Sequence, residues 1–229
     1  MESVSLSKII NDVRVILDQN RDDYTQLNVG EYTLELNEVI VKGIIPAAQW
    51  AHMNAPISKL KGVTFSDTGT IGNALQLPDD FMRLVSVRVS NWKRALNSYY
   101  AEDDPYVSQI LSGYAGLMPT YNKPAMVLRQ EDDRYLLLYP YADDESSDSD
   151  ESTATEGDYV EYAYYIPLPQ IEGLDESSDD ESSDDNPYDN ATIDLEPAVY
   201  QAFLYYLAYL TKLTYNEDNK FAEQAQALL

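Results

Sequence analysis

The sequence contains no cysteine and a single histidine, His52, among its 229 residues. The absence of cysteine excludes disulfides and thiol chemistry, and one imidazole is too few for the usual zinc sites. Any Ser-His-Asp system would have to be built on His52. That residue follows Trp50 and Ala51 at the end of an apolar helical pattern, which favours a surface or partly packed histidine over a catalytic base. We expect no cofactor and no metal site.

Long apolar runs and positive charge are also scarce. No apolar stretch reaches the ~18 residues of a membrane helix, and the N-terminus lacks the basic region and apolar run of a signal peptide. We therefore expect a soluble protein made in a cytoplasm, with no membrane partner. Lys and Arg number 15 against 40 acidic residues, for a net charge of −25. Scattered cations on so acidic a chain argue against a surface that grips nucleic acid.

Much of the negative charge lies in two low-complexity segments. Residues 143–158 and 175–190 hold sixteen of the acidic residues, contain no Lys or Arg, and share the tetrad Glu-Ser-Ser-Asp. Structureless loops longer than ~12–15 residues are uncommon in compact domains and tend to be functional or disordered. We favour a solvated acidic loop in both places. Calcium binding is the sharper alternative, although the glycine and the oxygen spacing of an EF-hand are absent.

Hydrophobic spacing predicts helices toward both ends of the chain. From Ser5, a predicted cap, apolar residues recur at the three-and-four spacing of an amphipathic helix. A second helical stripe contains Pro46, which predicts a kink or break near Gly43, and its small residues indicate the close approach of another helix. A C-terminal helix, with Asp194 as predicted N-cap, is apolar on more than one side, which favours a bundle or a subunit interface.

The middle of the chain has the patterns of β-strands. Val85, Val87 and Val89 alternate with polar residues, as in a strand with one buried face. Residues 125–129 and 135–139 flank a short polar turn, which predicts a hairpin, and residues 159–166 are rich in aromatic and β-branched side chains. We expect these strands to form one antiparallel sheet.

Together the patterns predict an α+β fold, in which a helical bundle from the N- and C-terminal helices carries an antiparallel β lobe inserted between them. The N-terminal helices are assigned to residues 1–57. The β lobe is assigned to residues 58–170, including the acidic loop 143–158. An acidic linker at 171–192 then leads to the C-terminal helix and tail at 193–229, which complete the bundle.

Several segments occur in an order that is more informative than any single residue. After the two N-terminal helices come LPDDFMRLVSVRVSNWKR at 77–94, Lys123-Pro124 opening the hairpin, LLLYP at 136–140, EYAYYIP at 161–167, and a helix containing YQAFLYYLAYL at 200–210. This order resembles that of the head-to-tail adaptor, or tail tubular A-like, ring proteins of short-tailed bacteriophages, and especially the ring proteins of crAss-like phages. The two acidic segments are not part of the family's usual pattern.

The resemblance implies a structural virion protein at the head-tail junction, assembled in the host cytoplasm, and not an enzyme. Such proteins form a homo-oligomeric ring, a dodecamer, beneath the portal protein. The ring continues the DNA channel used in ejection, lets viral DNA pass without specific binding, and docks the next tail or ring protein. The C-terminal tail of such proteins contacts the portal, which points to Phe221, Leu228 and Leu229 in this chain.

Four cations are candidates for a subunit interface. Arg83, Arg88, Lys93 and Arg94 form a large share of the few positive charges. In an assembly of acidic copies, we expect them to face an acidic neighbour across a subunit boundary.

Two other classes of function remain open. The first is an adhesion module that binds calcium or a surface through the Asp/Ser-rich segments. The second is a carboxylate-pair hydrolase using Asp79-Asp80, Asp103-Asp104 or Asp132-Asp133. Adjacent carboxylates are expected by chance among 40 acidic residues, and each of these pairs lies where turn or cap chemistry explains it.

Overall fold

Helices toward the two ends of the chain and strands between them give the protein the α+β fold that the sequence patterns predict. The computed structural model describes residues 1–17, 29–65, 70–71, 73–112, 116, 118–130, 133–141, 158–174, 188, 190–214 and 221–229. Of the two acidic segments, only Asp158, Tyr188 and Asn190 belong to these described residues, so both predicted acidic loops lie almost wholly outside them.

The helices and strands follow one another in chain order. The helices are α1 (Leu6–Ile16), α2 (Val29–Asn54), α3 (Pro105–Leu111), α4 (Tyr200–Thr214) and α5 (Phe221–Leu228). The strands are β1 (Glu2–Ser5), β2 (Val63–Thr64), β3 (Thr70–Ile71), β4 (Ala74–Gln76), β5 (Phe81–Val89), β6 (Tyr100–Ala101), β7 (Ala125–Gln130), β8 (Arg134–Tyr139), β9 (Val160–Pro167), β10 (Ile171–Glu172) and β11 (Thr192–Leu195).

The chain divides into two compact units. Met1–Lys61 and Leu168–Leu229 together form the first, which we call the helical unit. Gly62–Pro167 forms the second, which we call the β unit. The helical unit therefore draws on both ends of the chain, whereas the β unit is one continuous stretch.

The helical unit buries one stripe of each long helix. In α1 the buried residues are Leu6, Ile9, Ile10 and Val13, which recur at helical spacing as predicted. Ser5 occupies the N-cap position, but its side chain makes no capping hydrogen bond. The chain passes directly from β1 into α1, and the first helical N–H, that of Leu6, donates to the Ala191 carbonyl.

Helix α2 runs from Val29 to Asn54 with Pro46 inside it, so it does not break near Gly43, and a kink there stays a prediction. Pro46 lies on the exposed side of α2, as does Lys42 one turn earlier. Proline has no N–H to donate to the Lys42 carbonyl. Because this side of the helix is exposed to solvent, a water molecule can donate to that carbonyl instead. The close approach predicted from the small residues is confirmed, because a Cβ placed on Gly43 meets Leu207 Cδ1 of α4 at 2.7 Å.

A small sheet in the helical unit was not anticipated. Its strand order is β1-β11-β10, with antiparallel pairing throughout. Asp194 lies inside β11 opposite Ser3, so its assignment as a helix N-cap is wrong. The 3-10 turn Pro197–Val199 and then α4 begin after Glu196. Part of the predicted acidic linker thus supplies strands to this unit.

The β unit contains two sheets, and the expectation of a single antiparallel sheet is wrong. One sheet has the order β2-β9-β5 and the other β3-β4-β8-β7-β6. The predicted hairpin is confirmed as β7 and β8, but the strand beginning near Val85 pairs with β9 in the other sheet. One pairing, β6 with β7, is parallel. Alternation of side chains fixes which face of a strand is buried, and it does not fix the partner strand.

Side chains from both sheets meet in the core of the β unit. Val87 and Ala163 from one sheet and Met126 and Leu136 from the other are fully buried in a single hydrophobic cluster. Trp92, at the end of β5, is also buried there, and its indole Nε1–H donates to the Pro140 carbonyl at 2.9 Å. The segment after β5 is therefore held firmly to the end of β8.

Candidate functional site

The C-terminal helix carries the predicted portal-contacting residues, and it packs on its own unit. The Phe221 ring lies 6.3 Å from the Tyr205 ring of α4, and the Lys212 ammonium lies 5.5 Å from the Phe221 ring centre. Ala225 is fully buried, and the Leu228 carbonyl accepts a hydrogen bond from Lys59 Nζ at 2.9 Å.

This packing separates the three tail residues. Phe221 and Leu229 are half-buried, whereas the Leu228 side chain is 41% exposed. Leu228 is therefore the most accessible of the three to another chain. A portal contact through these residues stays a prediction.

The four candidate interface cations fall into two pairs. Arg88 forms an ion pair with Glu161 of the neighbouring strand, with Nε and Oε2 2.8 Å apart. Arg83 is half-buried, and its burial lowers the pKa of the guanidinium. Lys93 and Arg94 are exposed just beyond β5, and neither side chain forms an ion pair with any residue that the structure describes. Their common role at an interface stays a prediction, and Lys93 and Arg94 are the more exposed of the two pairs.

A turn brings a third cation to Lys93 and Arg94. The Lys93 N–H donates to the Tyr121 carbonyl at 2.8 Å, and Thr120 and Lys123 exchange backbone hydrogen bonds around Tyr121. Lys93, Arg94 and Lys123 are all exposed. The main-chain bond between Lys93 and Tyr121 thus brings three exposed cations to one region of a chain whose net charge is −25.

The buried carboxylate of Asp158 fixes the aromatic part of this surface. Its two oxygens accept hydrogen bonds from the Asn91 amide and from the Tyr121 hydroxyl, the latter at 3.1 Å. Burial and this bond to Asp158 raise the pKa of Tyr121. The next residue, Tyr159, exchanges hydrogen bonds with Ser90 through its main chain. These contacts fix the Tyr121 hydroxyl at Asp158, while Tyr121 as a whole remains exposed.

We call Lys93, Arg94, Tyr121, Lys123 and Tyr159 the cationic-aromatic patch. Tyr121 is 37% exposed and Tyr159 is 58% exposed. Sequence reasoning identified Lys93 and Arg94 and missed the other three residues. The dipeptide Lys123-Pro124 signals the turn, but no local pattern indicates that this turn lies beside the end of β5. The anchoring role of Asp158 was hidden because it is the last acid of a long acidic segment.

The single histidine is a core residue, so the expectation of a surface or partly packed side chain is wrong. His52 is fully buried on α2, and its Nε2 accepts the Glu196 N–H at 3.3 Å. Glu196 is also buried, and its Oε1 accepts the Lys61 N–H at 3.1 Å. These bonds connect the end of α2 to the segment that leads into α4.

The candidate carboxylate pairs make local structural bonds. Asp80 accepts the Tyr165 hydroxyl at 3.0 Å, and Asp104 Oδ1 accepts the Tyr106 N–H at 2.8 Å as the N-cap of α3. Asp133 accepts the Tyr135 hydroxyl at 3.1 Å, while Asp132 lies outside the described residues. Burial and the bond to Asp80 raise the pKa of Tyr165 to about 12. A structural hydrogen bond therefore accounts for one acid of each pair: Asp80, Asp104 and Asp133.

The part of the chain that the structure describes contains neither a metal-binding cluster nor a membrane-spanning helix. Within that part, no three acidic or histidine side chains are grouped so as to hold a metal ion. Most of the acidic residues in the two low-complexity segments fall outside it, so the calcium hypothesis stays untested. No described helix has both the length and the apolar character needed to cross a bilayer.

Comparison with known proteins gives no family assignment. No protein-family model matches the chain, and no curated protein matches it. The resemblance to phage adaptor proteins accordingly depends on the order of elements and on short structural motifs.

Proposed function

We propose that this protein is a structural virion protein, a ring-forming adaptor that connects a phage portal to the tail and continues the DNA channel. The observation that carries the proposal is the architecture. A helical unit built from both ends of the chain accompanies a β unit built from its middle, as in the adaptor proteins that the sequence resembles. A protein with this order of parts is expected to act by assembly rather than by catalysis.

Exposed apolar side chains on the helical unit support assembly into an oligomer. Val15 on α1, Met53 on α2 and Leu213 on α4 are each more than half exposed. Identical copies with a net charge of −25 repel one another at long range, so assembly requires contacts that exclude water and overcome that repulsion. Leu, Met and Val side chains on separate helices offer such contacts.

The acidic surface suits a channel through which DNA moves. If the acidic faces line the channel, repulsion between like charges keeps the duplex from sticking. The isolated protein is then expected to bind duplex DNA too weakly to measure at any salt concentration. Tight, salt-sensitive binding of duplex DNA contradicts this part of the proposal.

The direct test is the native mass and the shape of the particle. A dodecamer of the 25.9 kDa chain weighs about 310 kDa, and its negative-stain images should show a ring with a central hole. Addition of the portal protein should give a larger complex that retains the ring. A compact monomer at micromolar concentrations contradicts the proposal. Strong stoichiometric heat on titration with calcium favours the adhesion module instead.

Two single substitutions on the same helix sharpen the test. Leu213→Glu places a charge on an exposed apolar position of α4 and should weaken assembly. Gln201→Glu adds the same charge at an exposed polar position of α4 and serves as the control. Native mass spectrometry should show smaller species for Leu213→Glu alone. Equal effects of the two substitutions would mean that net charge, and not an apolar contact, controls assembly.

A further inference from the structure

We propose that the cationic-aromatic patch of one copy binds the acidic segment 175–187 of a second copy. The inference rests on the proposed homo-oligomeric function and identifies a pair of surfaces that join neighbouring copies. The patch belongs to the β unit, and the acidic segment follows Leu174 of the helical unit in sequence.

The cations of the patch can bind an acidic partner because they form no ion pair with the described residues. Arg88 pairs with Glu161, and Arg129 lies 3.8 Å from Glu102, so other cations of the β unit already face acids. Lys93, Arg94 and Lys123 have no such acid among the residues described. Asp158 is adjacent, but its carboxylate is buried and holds Asn91 and Tyr121. The exposed part of the patch is therefore positive.

The patch is also built in a way that suits an acidic peptide. A guanidinium can bind a carboxylate through two parallel N–H donors, while lysine ammonium groups add point charges around it. Exposed tyrosine rings supply contact area at little conformational cost, because the ring has few rotatable bonds. Before any partner arrives, Asp158 holds the Tyr121 hydroxyl and Ser90 holds the main chain of Tyr159.

Segment 175–187 matches this surface in charge. It contains seven acidic residues among thirteen, no Lys or Arg, and two copies of the Glu-Ser-Ser-Asp tetrad. It lies between Leu174 and Tyr188, which both belong to the helical unit. A contact between two different surfaces of the same chain is heterologous, and such contacts close into rings when the rotation between copies permits. This is the type of contact that a ring of identical copies needs.

A peptide-binding experiment tests the chemistry apart from assembly. A fluorescent peptide covering residues 174–188 should bind the full-length protein, and a peptide with every Asp and Glu changed to Asn and Gln should not. Lys93→Glu combined with Arg94→Glu should weaken binding about tenfold. Lys42→Glu combined with Lys61→Glu makes the same charge change at exposed positions of the helical unit, and its affinity should stay within about twofold of the wild type.

A mixing experiment tests whether the contact joins two copies. One variant carries Lys93→Glu and Arg94→Glu, and the other carries lysine at the acidic positions 175, 176, 179 and 180. Each alone should form smaller particles than the wild type, and a mixture of the two should regain the wild-type mass, because each reversed surface then meets an opposite charge. Circular dichroism of each variant should match the wild type, which excludes a loss of folding.

Specific outcomes overturn the inference. If the patch binds the chain's own acidic segment 143–157, mixing restores nothing, and deletion of that segment raises the affinity for the peptide. If a single-stranded oligonucleotide binds more tightly than the peptide and loses affinity in the Lys93→Glu, Arg94→Glu variant, the patch serves nucleic acid instead. If the wild-type protein forms a ring and neither the substitutions nor the peptide affect that ring, the docking is disproved and the proposed ring function stands. If the protein is a monomer that binds the peptide through the patch, the proposed ring function is disproved and the binding of the acidic segment by the patch stands.

Discussion

Substitution of Gly43 by alanine tests the closest contact between the helices of the helical unit. The position lies inside α2 and faces α4, where Leu207 is fully buried. A Cβ at residue 43 meets Leu207 Cδ1 at 2.7 Å and Leu210 Cβ at 3.9 Å. The second distance is an ordinary contact, so the outcome depends on Leu207.

Two opposing effects set the expected change in the free energy of unfolding. Alanine in place of glycine inside a helix stabilises by about 1 kcal/mol, because glycine loses more backbone freedom on folding. Carbon atoms prefer separations of about 3.5–4.0 Å, so Leu207 must move by about 1 Å to accept the new methyl group. Forcing a methyl group into a packed core costs about 1–3 kcal/mol. We expect Gly43→Ala to destabilise the helical unit by about 1 kcal/mol.

Urea unfolding followed by far-ultraviolet circular dichroism measures this change through the midpoint and the slope. A matched background isolates the contact. In Leu207→Ala the obstructing methyl groups are gone, so the same Gly43→Ala substitution should stabilise by about 1 kcal/mol from helix propensity alone. The double-mutant cycle should therefore show coupling of about 2 kcal/mol between the two positions. If Gly43→Ala stabilises the wild type as much as it stabilises Leu207→Ala, the close approach of the two helices is refuted.

Three further predictions concern the β unit. Gly62 has a φ of +70°, and a Cβ there would lie 2.6 Å from the Tyr165 carbonyl oxygen; Gly62→Ala should destabilise by about 2–3 kcal/mol in urea unfolding, and a neutral effect would contradict the geometry. Because the pKa of Tyr165 is raised to about 12 in the folded protein, stability is intact below about pH 10 and falls as the pH rises toward 12. In Tyr165→Phe this loss is absent, so the stability curves of the two proteins should converge in that range, and parallel curves would disprove the assignment. Asp158→Ala removes the acceptor of both the Asn91 amide and the Tyr121 hydroxyl and should cost about 1–3 kcal/mol, more than the roughly 1 kcal/mol expected for Tyr121→Phe, as thermal unfolding will show.

Local hydrophobic periodicity predicted which stretches form helices and strands better than it predicted which strands pair with one another. The apolar stripe of α1 and the hairpin of β7 and β8 are properties of short stretches, and both are confirmed. The division of strands into two sheets depends on contacts between distant residues, which alternation cannot encode. Strand β1 has no apolar alternation, and it forms because β11 offers it an edge.

The errors at single residues have physical causes of the same kind. Pro46 does not end α2 because the lost hydrogen bond lies on the solvent side. His52 lies one helical turn from Ala48 and Ala55, so it shares their buried stripe, and the Glu196 N–H satisfies its ring nitrogen. The sequence indicated only part of the cationic-aromatic patch. Lys93 and Arg94 are adjacent in sequence, whereas the turn that carries Tyr121 and Lys123 comes from elsewhere in the chain.

The division of the chain into units also imposes an order of events during synthesis. The β unit is continuous, so all of its core residues have emerged from the ribosome once residue 167 is free. The helical unit lacks α4 and the strand β11 until the last 62 residues have been made, because it includes Leu168–Leu229. Until then the apolar faces of α1 and α2 have no partner from α4. Translation therefore presents a complete β unit attached to an unfinished helical unit, and the nascent helices are the part of the molecule most exposed to aggregation and to chaperones.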